Sequence, residues 1–241
     1  MQRSKCLDAG RFLPTMQHTY LLLIITALCM FFHGTRAHSQ QSDIGNWLIY
    51  FGNQPLDKTW NWHNELQIRN FNFLGDIQQV LARTGIGYNL TENNNNILLG
   101  YGYIYSERYL PNSEEKASSN EHRIFQQFIT KQSAGNVFIL HRYRIEERFL
   151  PDDFQVRFRY FLAFNIPLNT SAMTPNTIYL SAYNEIFVNA QSPVFDRNRL
   201  YGAIGYVLGA STRCELGYMS QMLEQSSRGQ FQVVFYNNLP L

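Results

Sequence analysis

The sequence predicts an all-β fold, an antiparallel up-and-down transmembrane β-barrel of about 10 strands, with about 12 as the alternative, behind a cleaved signal peptide. Three observations lead there. Apolar and polar residues alternate with a period of two almost everywhere from Trp47 onward, as when successive side chains point to opposite faces of a sheet. Many alternating segments reach ten or more residues, whereas strands of soluble proteins run to about five or six and a tilted strand crossing a bilayer takes about 9 to 11. The polar face, finally, is rich in Arg and nearly devoid of Lys.

The start of the chain stands apart. Tyr20–Phe32, YLLLIITALCMFF, is a 13-residue apolar run, long enough for a signal-peptide core and too short for a spanning helix. Thr35 and Ala37 supply small residues at minus three and minus one. Cleavage is therefore expected after Ala37, with residues 1–37 as signal peptide and upstream extension and 38–241 as a single barrel domain; Met16 is an alternative start. Leu28 before Cys29 excludes a lipoprotein anchor. Cys6 and Cys29 leave with the leader, so only Cys214 remains and no internal disulfide forms. The mature chain has 16 basic and 17 acidic residues, which leaves no basic excess for nucleic acid.

The elements follow in order. Trp60, Trp62, Leu66 and Ile68 alternate with His63, Glu65, Gln67 and Arg69. Val80, Ala82, Thr84, Ile86 and Tyr88 alternate with Gln79, Arg83 and Asn89. After the turn TENNNN, Ile97, Leu99, Tyr101, Tyr103 and Tyr105 alternate with Gly100, Gly102 and Ser106. Further strands are expected over Glu121–Lys131, Asn136–Phe149, Asp153–Ile166, Asn176–Asn189, Arg199–Gly209, Thr212–Gln221 and Gln230–Tyr236. SAGN, PDD, NTSAMTPN, QSPVFDRN, GAS and EQSSRG supply the turns between them. In FDRNRLY, Asp196 and Asn198 read as turn formers, with Arg197 or Arg199 as anchors. Gly45–Phe51 is an eleventh candidate, but bacterial single-chain barrels have an even strand number. It is expected in the periplasm or the lumen unless a twelfth strand joins it. Counting from Trp60 places TENNNN, SAGN, NTSAMTPN and GAS in the periplasm, with ERYLPNSEEKASSN as the longest outer loop.

Periodicity does not say which face is inside. In a soluble sandwich or lipocalin-like barrel the apolar row is the core; in a transmembrane barrel it meets lipid and the lumen is polar. A solvated face usually mixes Lys, Glu and Thr, yet the mature chain has 13 Arg and only Lys58, Lys116 and Lys131. Arg142, Arg144, Glu146 and Arg148 share one face of NVFILHRYRIEERFL, and Arg157 and Arg159 share one face of DFQVRFRYFLAFNIPL. The planar guanidinium fork pairs bidentately with carboxylates in confined space, where Lys serves less well. Together with Glu121, Arg123, Glu185, Arg213 and Glu215 these residues are expected to form a lumenal charge network that could contact a solute or ligand. With Arg69, Arg83 and Glu65 it counts nine Arg against five Glu. Tyr88, Tyr105, Phe149, Phe154 and Phe187, near strand ends, are expected to contribute to aromatic girdles.

At YLSAYNEIFVN, FDRNRLYGAIGY and RCELGYMSQ, with EHRIFQQF and RYRIEERF before them, the chain resembles the bacterial family called domain of unknown function 2490, from roughly Asp43 to Tyr236. The resemblance implies an outer-membrane-barrel-like protein of the Bacteroidetes type and brings no established activity.

No catalytic residue is assigned. His141 is the one histidine expected on a lipid-facing row, and no serine stands two residues from it to make a Ser–His hydrolase. His63 and His122 lack Cys or His at ligand spacing, so neither a metal nor a cofactor is expected. The expected partners are outer-membrane lipid and the barrel-assembly machinery. The expected function is a structural or binding barrel of the bacterial outer membrane with its lumen filled by the Arg/Glu network and its ligand unassigned. The alternatives are a narrow pore for small anionic solutes, a lipid-modifying barrel enzyme, and a soluble periplasmic lipocalin-like binding protein.

Overall fold

A computed structural model describes residues 44–73, 75–91 and 94–240; the expected signal peptide over 1–37 and its cleavage point lie outside the described residues. Eleven strands follow in chain order: β1 Ile44–Pro55, β2 Trp60–Asn70, β3 Ile77–Asn89, β4 Asn95–Tyr109, β5 Lys116–Ala134, β6 Val137–Leu150, β7 Asp153–Pro167, β8 Ile178–Asn189, β9 Phe195–Gly209, β10 Thr212–Met222 and β11 Ser227–Asn237. Each pairs with its neighbour in sequence, and β1 closes the barrel against β11.

The count of eleven corrects the expected ten or twelve, and the difference is β1. Gly45–Phe51 is neither periplasmic nor lumenal: it lies in the wall, antiparallel to β2 through pairs such as Trp47 with Arg69 and parallel to β11 through pairs such as Trp47 with Gln232. Even parity holds for a barrel closed by antiparallel neighbours alone; a single parallel seam admits an odd number. Without β1 the remaining ten strands are the expected antiparallel meander, with β2 and β11 running in opposite senses at its edges. The near end of the barrel is taken here as the one where β1 and β11 begin, and the far end as the one where they finish.

Loop lengths also depart from expectation. ERYLPNSEEKASSN is mostly strand, because β4 and β5 stay paired out to Tyr109 and Lys116 and leave only 110–115 as a turn. The longest connection is 168–177, at the far end. The β4–β5 extension lacks the apolar alternation of the wall and is tied by polar groups. Lys116 reaches Asp76 at 2.5 Å and Glu107 at 2.9 Å, and the Tyr109 hydroxyl donates to Asp76 at 2.8 Å. Burial alone would raise the Asp76 carboxyl, but the bonds from Lys116 and Tyr109 outweigh it and hold the group below the usual carboxylate range. A depressed folded pKa stabilises above the unfolded value of about 4 and ceases to do so as pH falls through the folded one. Amide exchange across 107–118 is therefore expected to quicken below about pH 4, and Asp76→Asn should remove that pH dependence.

The alternation sorts the two faces cleanly, with the charged row inside. Glu146 and Glu65 are fully buried in the barrel, while Leu66, Leu99, Ile204 and Leu216, in the body of their strands, turn outward with 57–63% exposure. Where the lumen is not charged it holds neutral amides such as Gln127, Gln230 and Gln232 together with apolar side chains. Trp47, Ile49, Tyr201, Met219 and Val234 form one cluster beside the seam. Gly100 and Gly205 make room for two more: a Cβ at either would collide with the ring of Phe125 or Tyr179, both fully buried.

Candidate functional site

The antiparallel register of β6 on β7 sets Glu146 opposite Arg157 and Arg144 opposite Arg159, so a period-two run of charges on each strand becomes a two-dimensional array. Arg157 and Arg159 reach Glu146 at 2.6 and 2.5 Å. Arg144 at 3.6 Å, Arg83 from β3 at 3.7 Å and Arg123 from β5 at 3.8 Å complete a cage of five guanidiniums around this carboxylate. Arg159 also bonds Glu185 at 2.5 Å, which takes Arg142 at 2.7 Å and lies 3.6 Å from Arg199. Glu121 joins Arg123 at 2.5 Å and Arg148 at 2.6 Å, and Glu65 joins Arg83 at 2.8 Å. Arg83, Arg123 and Arg159 thus each link two carboxylates, and the network is continuous across the lumen.

All eleven network residues named from the sequence have their side chains among these lumenal groups, but Arg213 and Glu215 stand apart from the ion pairs. Glu215 accepts hydroxyl hydrogen bonds from Tyr179 at 2.9 Å, Tyr201 at 3.2 Å and Tyr236 at 3.4 Å. Its oxygens are taken by tyrosines, and Arg213 lies over the Tyr236 ring at 4.2 Å with no carboxylate within 4 Å among the described residues. Arg69 is similar: Gln67 and Gln79 accept from it and its guanidinium stacks on Trp47 at 3.8 Å.

Several placements correct the sequence reading. Asp196 is no turn former; β9 already includes it, and it accepts from Arg157 at 2.7 Å and Arg197 at 2.9 Å. A register shift at Phe187/Val188 brings it round to the network. Phe187 is no girdle residue, being 1% exposed with Arg159 and Arg199 against its ring at 4.4 and 4.6 Å. Guanidinium–ring contact of this kind is favourable when desolvated. His122 is exposed and outward, with Nδ1 2.6 Å from the Tyr101 hydroxyl, so His141 is not alone on that row; the neighbours Glu121 and Arg123 both point inward and force the phase. His141 Nδ1 lies 2.9 Å from the Tyr160 hydroxyl. Among the described residues no three His, Cys, Asp or Glu side chains converge as a metal site.

Concavities lie on both faces of the wall. One of about 940 Å³ lies mainly against outward apolar residues such as Ile86, Leu99 and Phe158, and brings no reactive groups together. The other, of about 180 Å³, is lumenal: it runs from Trp47 and Arg69 to Arg213 and Tyr236, clear of Glu146 and Glu121, which pack toward the near end of β5–β7. A closed β-barrel with an ionised interior and an apolar exterior defines the class of protein. Its family follows from comparison: the chain belongs to the family described as protein of unknown function DUF2490, which matches residues 44–232. No curated protein and no solved structure matches the chain.

Proposed function

We propose that the protein is a bacterial outer-membrane β-barrel whose lumen is closed by its own Arg/Glu network, acting as a structural or binding barrel and not as a through-channel. The observation that carries this is the inversion of the wall, with fully buried Glu65 and Glu146 inside and half-exposed Leu and Ile side chains in mid-strand outside. In water that exterior would be an apolar surface far larger than the few hundred Å² a soluble monomer tolerates. Strands of 11 to 19 residues also meet or exceed what a bilayer crossing requires, about 9 to 11. An outer-membrane protein of this kind has lipid and the barrel-assembly machinery as its partners. Fractionation with and without boiling is the test. The protein is expected in the outer-membrane fraction, with faster gel migration before boiling than after. Recovery as a soluble periplasmic protein indifferent to boiling would overturn the reading and return the lipocalin-like alternative.

A second reading, a narrow pore for small anions, draws on the excess of lumenal Arg over Glu; rings of basic side chains favour anions. The plugged reading is preferred because Arg83 on β3 and Arg157 on β7 meet the same carboxylate on β6, so side chains occupy the lumen between facing walls. Steady anion-selective current in planar bilayers would overturn the plug.

A further inference from the structure

The 180 Å³ lumenal cavity has an unusual inventory of polar atoms. Five donors on its walls have no acceptor among the described residues: Trp47 Nε1, Arg83 Nε, Arg142 Nε, Arg213 Nε and Gln232 Nε2. Trp47, Arg83 and Gln232 are each more than nine-tenths buried. Buried donors are nearly always satisfied in folded proteins, and leaving one unmade is costly. Five such donors around one cavity, against two acceptors, call for a group rich in acceptor oxygens. The two wall acceptors in the same condition are Asn165 Oδ1 and Glu65 Oε2, the latter 3.6 Å from His63 Nε2.

Charge points the same way. Six arginines line the cavity against three glutamates. Glu185 is already shared among three guanidiniums, Glu65 is committed to Arg83, and Glu215 is occupied by tyrosine hydroxyls. Arg69 and Arg213 are left with amide and aromatic partners. Enclosed positive charge of this kind concentrates anions, and the guanidinium fork matches the paired oxygens of a carboxylate or phosphate.

The remaining wall is aromatic: Tyr183 stacks between Phe161 at 4.8 Å and Tyr201 at 4.6 Å. The volume corresponds to about six waters at roughly 30 Å³ each, enough for a single-ring acid. We propose that this cavity binds a small organic oxyanion, a carboxylate or phosphate group carried on an apolar body, with Arg213 as its principal contact. The inference rests on the reading of the lumen as a closed chamber.

The test is calorimetric titration of the purified full-length mature barrel in detergent with benzoate, inorganic phosphate and the neutral analogue benzyl alcohol. Benzoate is expected to bind saturably and benzyl alcohol not at all. Arg213→Gln should weaken benzoate at least tenfold, while Arg108→Gln, exposed near the end of β4 and away from the cavity, should leave it unchanged. Gln232→Leu provides a second wall variant should Arg213→Gln not fold, as judged by its gel migration before boiling. No saturable binding of either anion, or binding indifferent to both wall variants, would overturn the site. Saturation by phosphate but not by benzoate would overturn the apolar body. Bilayer recording on the same preparation separates the two readings: current with retained binding rejects the closed lumen and keeps the site, and silence without binding rejects the site alone.

Discussion

Glu146→Gln is expected to be the most damaging single change in the interior, lowering stability by about 3–5 kcal/mol, the usual cost of removing one partner from a buried ion pair. The substitution is nearly isosteric, so packing survives and the effect isolates charge. Glu146 is completely buried, and Arg157, Arg159, Arg144, Arg83 and Arg123 all lie within 3.8 Å of its carboxylate. With the amide in its place these guanidiniums face one another across a confined space. Arg159 keeps Glu185 and Arg123 keeps Glu121, but among the described residues Arg144 keeps no carboxylate within 4 Å and has Gln127 as its one acceptor. Glu147→Gln is the matched control, since Glu147 is partly exposed on the outward face beside Gln126, and its cost should stay within about 0.5 kcal/mol. Urea unfolding followed by loss of the fast-migrating gel band measures both. Equal midpoints for the two variants would show that the network is not what holds the interior.

The barrel and its charged row were legible because they rest on local spacing. Arg142, Arg144, Glu146 and Arg148 announce a face by their period, and antiparallel hairpins bring such rows together without further information. What escaped depends on other physics. β1 carries apolar residues on both faces, Trp47 and Ile49 inward and Leu48 outward, so it has no alternation to betray a wall strand. The outer part of the β4–β5 hairpin is polar on both faces and reads as a loop for the converse reason. The tyrosine cradle of Glu215 was invisible because Tyr179, Tyr201 and Tyr236 come from β8, β9 and β11. Aromatic residues near strand ends suit a girdle as well as a lumen. Phe187 suits a girdle by its place near a strand end, yet its period-two spacing from Glu185 sets it on the lumenal face, where guanidiniums from β7 and β9 lie against its ring.

Phe158→Arg is expected to abolish most outer-membrane assembly, whereas Arg157→Gln, one residue away, should leave assembly largely intact. Phe158 faces outward at 45% exposure between Ile145 and Val188 on the neighbouring strands. On the outward row proposed above to face lipid, an arginine costs up to about 2–4 kcal/mol at the bilayer midplane, and the flanking apolar side chains offer it no partner. Arg157 points the other way. Its loss deprives Glu146 of one guanidinium out of five and leaves Asp196 with Arg197. The cost is that of charge-assisted hydrogen bonds, about 1.5–3 kcal/mol, and it falls on interior stability, not on entry into lipid. The distinction decides the orientation of the whole wall. If the outward row were solvated, Phe158→Arg would be an ordinary surface change worth no more than about 0.5 kcal/mol, and Arg157→Gln would be the worse of the two. Outer-membrane yield for both variants, scored by gel migration before and after boiling, separates these outcomes; the reversed order would put the outward row in water and overturn the lipid-facing reading.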